Sequence, residues 1–307
     1  MKKTPLLLSK DISKSFKVTN SFFSKSNLSV NALKNVTLKI YPKEIVGLVG
    51  ESGSGKSTLA KILADIYKPD NGKVLYKGKS LTDCYNEYRK NVQMVFQDPY
   101  SSLNPKLKII NTLKDGVSNY ITSNKDELKN ICSKLIRSVG LEEDHLYRYP
   151  HQFSGGQRQR ISIARALSTD PELILADEPV SALDVSVQAE ILNLFKKLNV
   201  EKGKSILLIS HDLAVVYFLC SYIYVIYKGV IVEHGKTEKI IKSPKHPYTK
   251  QLILSKDLKD YSVKKEIIKD SFCPFADKCP NYSSNCEKTL KEVKISNGHF
   301  IKCHNIK

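Results

Sequence analysis

Gly50-Glu51-Ser52-Gly53-Ser54-Gly55-Lys56-Ser57 carries the strongest chemical signal in the chain. It follows the apolar run Ile45 to Val49 and precedes the helix-like stretch Thr58 to Ile66. A strand, a glycine-rich turn and a helix in that order make a phosphate-binding loop. The glycines let the backbone curl until its N–H groups and the helix N-terminus face phosphate oxygens. Lys56 sets a positive charge against the β and γ phosphates, and Ser57 offers a hydroxyl to Mg²⁺. Gly50, Ser52, Gly53, Gly55 and Thr58 complete the predicted set, so the implied ligand is a Mg²⁺-bound nucleoside triphosphate. A second group is needed for chemistry, and Leu173-Ile174-Leu175-Ala176 running into Asp177-Glu178 supplies it. Asp177, at the end of a buried strand, is read as holding Mg²⁺, directly or through water. Glu178 is then placed to polarise a water attacking the γ-phosphate in line. Without the phosphate loop the pair would read as a solvated strand end.

The elements that must position these residues are legible as well. Glu44 to Val49, Val92 to Phe96, Leu173 to Ala176, Ile206 to Ile209 and Tyr222 to Tyr227 are apolar, β-rich runs that alternate with helical patterns. That alternation predicts an α/β domain with a largely parallel sheet. Between about 98 and 170 helical patterns take over, notably Asp126 to Val139 and Gln157 to Ser168, which predicts a helical insertion. Leu213 to Val232 is apolar enough to suggest a membrane span. Its tyrosines, β-branched residues and Lys228-Gly229 read instead as a helix end, a buried strand and a turn. The expected organisation is a nucleotide-binding domain over 1–255, a Lys-rich polar linker over 256–271 and a short Cys-bearing tail over 272–307.

Composition narrows the function classes. A net charge of +18 suggests nucleic acid, but only six of the 49 basic residues are Arg. Phosphate clamping and base reading lean on the planar Arg fork. Scattered lysines fit an organism-wide preference for Lys or a soft attraction to acidic lipid surfaces instead, so no nucleic-acid partner is expected. The apolar stretch Leu6 to Leu8 is too short for a signal peptide, which predicts that the chain stays in the cytosol.

Ser154-Gly155-Gly156-Gln157, after Phe153 and before Arg158-Gln159-Arg160, resembles the signature motif of ABC ATPases. Other motifs occur in the family's order: Gln97 like the Q-loop, Ser181-Ala182-Leu183-Asp184 like the D-loop, and His211 like the switch histidine. Phe16 resembles the aromatic residue that stacks on adenine, and a core Phe is an equal reading. The resemblance implies an ABC-type nucleotide-binding fold with a helical signature subdomain and a small C-terminal Cys-rich tail. It implies two ATPase units stacked head to tail, with ATP between Lys56 of one and Ser154, Gly155, Gly156 and Gln157 of the other. Glu178, His211 and Gln97 take the catalytic roles, Asp184 touches the partner's site, and Gln97 joins Ser57 and Asp177 around Mg²⁺.

Gln97-Asp98-Pro99-Tyr100-Ser101-Ser102-Leu103-Asn104-Pro105 and His246-Pro247-Tyr248-Thr249 are similar to the oligopeptide/dipeptide importer ATPases. Val180-Ser181 looks more like the F-type subunit than the D-type, which usually has Thr-Thr before the Ala. The resemblance therefore implies a D-type ATPase partner, two transmembrane permeases, an extracytoplasmic solute-binding protein acting indirectly, and a place at the cytoplasmic face of the membrane. Nickel or another small solute stays open as cargo. A soluble ABC protein acting on ribosomes or nucleic acid usually carries two cassettes or a long coiled-coil insertion, and neither is visible.

Cys273, Cys279, Cys286 and Cys303 cluster within the tail, while Cys84, Cys132 and Cys220 are isolated. In a reducing cytosol, clustered thiols argue for metal over disulfides. Without a C-x2-C knuckle a zinc ribbon is disfavoured, and the family's tail is associated in some members with a [4Fe-4S] cluster. Iron–sulfur, zinc and unmetallated thiols all stay open, with iron–sulfur first. His299 and His304 are nearby alternative ligands.

Overall fold

A computed structural model describes residues 4–18, 28–254 and 273–305. The expected linker over 256–271 lies outside the described residues. The chain divides into two compact units, one of residues 7–39, 46–75 and 210–307 and the other of residues 1–6, 40–45 and 76–209. The first begins with β1 (Leu7–Val18) and β2 (Leu28–Ile40), followed by β3 (Ile45–Val49), α1 (Lys56–Leu63) and β4 (Asn71–Tyr76). In one sheet of this unit the order is β2-β1-β4.

The second unit carries β5 (Lys79–Ser80), α2 (Tyr85–Asn91) and β6 (Val92–Val95). Between β6 and β7 (Leu173–Asp177) the described chain has no strand. That stretch holds α3 (Pro99–Ser102), α4 (Ile109–Tyr120), α5 (Lys125–Ser138) and α6 (Gly155–Leu167), as the helical periodicity predicts. Side-chain caps start three of them, α3, α5 and α6. Asp98 accepts the N–H groups of Tyr100 and Ser101 at 2.9 and 3.2 Å, and Asn124 those of Asp126 and Glu127 at 3.0 and 3.1 Å. Each cap satisfies N–H groups that a first helical turn leaves without a partner. The unit ends with α7 (Val185–Lys202) and β8 (Ser205–Ser210). β6, β7 and β8 run parallel side by side, with Leu175 opposite both Met94 and Leu207. Every residue of β7 and β8 is buried, which is why both read as unbroken apolar runs.

The first unit resumes with α8 (Leu213–Leu219), β9 (Tyr222–Tyr227), β10 (Val230–Lys236), α9 (Thr237–Lys242) and α10 (Pro247–Leu254). β3 pairs with β9 in parallel, and β9 returns antiparallel into β10. Lys228 and Gly229 both have positive φ, 42° and 78°, as a tight two-residue hairpin requires. A bulge between Ile231 and Glu233 interrupts β10. The chain after 272 contributes β11 (Val293–Ser296) and β12 (His299–Ile301), and β12 pairs antiparallel with β10, Ile301 opposite Glu233. The order in this unit is therefore β11-β12-β10-β9-β3. The segment that reads as a tail is thus held to the sheet by backbone pairing. Among the described residues no helix is long and apolar enough to cross a membrane. Leu213 to Val232 is α8, β9 and the start of β10, as its β-branched residues and turn predict.

Candidate nucleotide site

The phosphate loop leaves the C-terminal end of β3 and turns into α1. A Cβ on Gly50 would stand 2.2 Å from the carbonyl oxygen of Ile226, so only glycine fits against β9. Gly55 has φ +103° and its own Cβ would meet the Ala32 carbonyl at 2.4 Å, which holds the helix start to glycine twice over. Lys56 is buried, and its Nζ donates to the carbonyl oxygens of Gly50 and Glu51, both at 2.8 Å. The ammonium is thereby drawn across the mouth of its own loop. Ser52 and Gly53 are exposed, while Ser57 and Thr58 lie half-buried in the first turn of α1. The Ser54 hydroxyl is buried without a hydrogen-bond partner.

Phe16, on β1, is 37% exposed and meets Tyr67 edge-on, with ring centres 5.7 Å apart. Lys14 Nζ lies over the same ring, 5.7 Å from its centre, and the exposure sets Phe16 apart from a fully buried core Phe. His211 is exposed, and Asp212 beside it caps α8 by accepting the Ala214 N–H at 2.7 Å.

In the second unit Asp177 is buried at the end of β7 and Glu178 follows it half-buried. Glu178 adopts φ +44°, and its N–H donates to the carbonyl of Ile209 at 3.0 Å. A left-handed backbone is costly for a residue with a Cβ and is tolerated where the surroundings enforce it. Gln97, 81 positions earlier, donates from Nε2 to Glu178 Oε2 at 3.1 Å. Two of the residues assigned catalytic roles are thus in direct contact. Ser154 caps α6, accepting the Gln157 N–H at 3.3 Å, while Gln157 Oε1 accepts the Ser154 N–H at 3.1 Å. This reciprocal box satisfies two N–H groups at the start of α6. A Cβ on Gly156 would lie 2.5 Å from Val187 Cγ1, and one on Gly155 3.8 Å from Leu183, so the signature glycines abut the start of α7. Asp184 caps that helix through the Val187 N–H at 3.0 Å, and this bond holds its carboxyl below the usual range. A cleft of about 490 Å³ opens near the Gln97 segment, lined by Arg89, Gln93, Asn104, Leu107, Asp115 and Arg165 among others.

Cys273, Cys279, Cys286 and Cys303 are all buried and unbridged. Each of Cys273, Cys279 and Cys303 receives a backbone N–H from the residue two positions on, Phe275, Asn281 and Asn305. Asn305 Nδ2 also reaches Cys286 Sγ at 3.5 Å. Burial pushes the Cys273 thiol up to about 12 and raises Cys279 and Cys303, and each also feels neighbouring thiols of the set. His299, an alternative ligand by sequence, is instead paired with Glu233 at 2.6 Å, and His304 Nε2 lies 3.1 Å from the Lys288 carbonyl. Sequence reasoning assigned no role to Tyr248, whose hydroxyl accepts the N–H of Glu51 in the phosphate loop at 2.9 Å. Its only signal was a place in the His246-Pro247-Tyr248-Thr249 motif.

The family profile described as "ABC transporter" matches residues 33–181, and the one described as "Oligopeptide/dipeptide transporter, C-terminal region" matches residues 232–286. The chain is 39% identical over 281 residues to the oligopeptide transport ATP-binding protein OppF of Bacillus subtilis (strain 168), covering 90% of each. It is 38% identical over 314 residues to AppF of the same strain, covering 96% of this chain and 95% of that one. Among solved structures it is similar to the ATP-binding cassette MJ0796 in a dimeric post-hydrolysis state bound to ADP and Pi. That match has a TM-score of 0.65 and 32% identity, and covers 75% of this chain and 98% of the other. With a phosphate loop, a capped signature helix and this extent of identity, the chain belongs to the ABC transporter ATP-binding proteins.

Proposed function

We propose that this chain binds MgATP and hydrolyses it to drive an ABC importer for peptides. The observation that carries the reading is the phosphate loop, with Lys56 seated across it on the Gly50 and Glu51 carbonyls. In this reading Gly50, Ser52, Gly53, Gly55, Lys56 and Thr58 hold the phosphates, and Phe16 stacks on the base. Ser57, Asp177 and Gln97 serve Mg²⁺, Glu178 polarises the attacking water, and His211 senses the γ-phosphate. Ser154, Gly155, Gly156 and Gln157 grip the ATP of a second ATPase across a head-to-tail interface, and Asp184 reaches that partner's site. The Val180-Ser181 pair supports a distinct D-type partner. The cleft lined by Ser102 and Asn104 supports a docking surface for the two permeases, and scattered lysines suit the cytoplasmic face of a lipid bilayer. A solute-binding protein outside the membrane would select the peptide. In proteoliposomes carrying the permeases, both ATPases and the binding protein, ATP-driven entry of a radiolabelled peptide should stop when this chain is omitted. Uptake that continues without it would overturn the reading.

The same reading extends to a [4Fe-4S] cluster on Cys273, Cys279, Cys286 and Cys303, with zinc the lesser alternative. Four buried thiols with N–H donors to their sulfurs suit thiolates bound to metal. Such a cluster would have a structural role, with all its irons capped by this chain's thiolates. Anaerobically purified protein should be brown, with about four irons per chain, and Cys286→Ser should lose the iron yet still bind ATP. Stoichiometric zinc without iron would reassign the site, and neither metal would leave four unexplained thiols.

A further inference from the structure

The four-Cys element and the phosphate loop belong to the same unit, and a continuous buried path joins them. Phe275, two residues past Cys273, is buried and packs its ring against three others. Tyr227 lies 5.3 Å away, Tyr248 5.6 Å and His246 6.0 Å, between ring centres. Tyr227 and Tyr248 are themselves 4.4 Å apart. From this aromatic cluster the Tyr248 hydroxyl reaches out to accept the Glu51 N–H at 2.9 Å. Glu51 is one of the two residues whose carbonyls seat Lys56.

Two further connections run the same way. The fully buried Glu233 carboxylate accepts the N–H groups of Lys245 and His246 at 2.8 and 2.9 Å, and His299 Nε2 on β12 donates to it at 2.6 Å. His246 Nδ1 then accepts the Tyr248 N–H at 3.1 Å, so the start of α10 is tied back to the Cys-bearing segment. At the other end of the loop, Gly229 N–H donates to the Ser54 carbonyl at 2.9 Å, and Lys228 beside it pairs with Asp277 at 3.0 Å. The loop is therefore backed at Glu51 and at Ser54 by groups that the four-Cys element touches.

We propose that the four-Cys element is the back support of the phosphate loop, and that Tyr248 is the positioning residue that transmits this support to Glu51. The inference rests on the reading that the Lys56 loop binds ATP. Tyr248 acts through the Glu51 N–H that its hydroxyl accepts. It holds the peptide unit whose carbonyl places Lys56, so its loss alters the pre-organisation of the loop and hence ATP affinity rather than the chemical step. Anything that unmakes the four-Cys element loosens ATP binding through the same path.

The test uses full-length protein with its metal content measured, and a fluorescent ATP analogue as probe. Tyr248→Phe keeps the ring and removes only the hydroxyl. One hydrogen bond of ordinary strength corresponds to roughly a threefold to tenfold change in Kd. KM for ATP should rise by the same factor with kcat unchanged, iron content should match wild type, and the Glu51 amide should lose protection in hydrogen exchange. Phe275→Leu, which retains apolar volume, should give a similar weakening. Cys286→Ser should bind ATP with a comparable loss. A change in Kd below threefold for Tyr248→Phe overturns the proposal. A full effect there with none for Phe275→Leu and Cys286→Ser overturns the part assigned to the four-Cys element. Lys56→Ala serves as the reference. If it too leaves affinity unchanged, the nucleotide reading fails, whereas an effect at Lys56 alone fails only this inference.

Discussion

Glu178→Gln, assembled with its second ATPase and Mg²⁺, is expected to hydrolyse ATP some 10²–10⁴-fold more slowly while binding it as tightly as wild type. The substitution is nearly isosteric. The new side-chain oxygen can still accept the Gln97 Nε2–H that Glu178 accepts at 3.1 Å, so the contact between the two segments survives. The backbone bond from residue 178 to the Ile209 carbonyl and the φ of +44° are likewise untouched. What disappears is the carboxylate's capacity to draw a proton from water, the one property assigned to this position. Phosphate release and nucleotide retention, measured on the same preparation, separate the two effects. Hydrolysis within about threefold of wild type would remove Glu178 from the role of base, because a positioned base is worth more than that.

Lys56→Ala is expected to weaken ATP binding by roughly 10- to 150-fold, the equivalent of one charge-assisted hydrogen bond of about 1.5–3 kcal/mol. Lys56 is 4% exposed, and its Nζ is directed by two carbonyls of the loop. Removing it deletes the only cation of the loop sequence Gly50 to Ser57. Lys56→Arg should not restore affinity, because a planar guanidinium cannot occupy a seat built for a compact ammonium between two carbonyls. Equilibrium titration with a fluorescent ATP analogue reads the effect directly. A Kd within threefold of wild type for Lys56→Ala would dissociate this loop from phosphate binding.

Much of this molecule could be read along the chain. β3, β7 and β8 are buried throughout, and burial on both faces leaves an unbroken apolar run in the sequence. The helical stretch between β6 and β7 declares itself by its helical patterning over Asp126 to Val139 and Gln157 to Ser168. The phosphate loop is local too. The strand and helix that frame it are adjacent in the chain, and Gly53 and Gly55 supply the positive φ its turn needs.

Long-range partners were not legible, because a local pattern specifies that a residue is buried or polar and not what it meets. Gln97 and Glu178 are 81 positions apart, and Tyr248 and Glu51 are 197 apart. Glu233 lies in an apolar strand where its charge looks misplaced until three donors, from 245, 246 and 299, are seen to surround it. The Cys-bearing segment reads as an appendage, since its apolar residues are too few to make a core of their own. Only tertiary structure supplies the rest of that core: the β10 edge for β12, and Tyr227, Tyr248 and His246 for Phe275. The sequence by itself determined the phosphate-binding chemistry, because that chemistry is built from neighbours along the backbone. The support behind it was decided by the fold, because it is built from side chains that meet only once the sheet has formed.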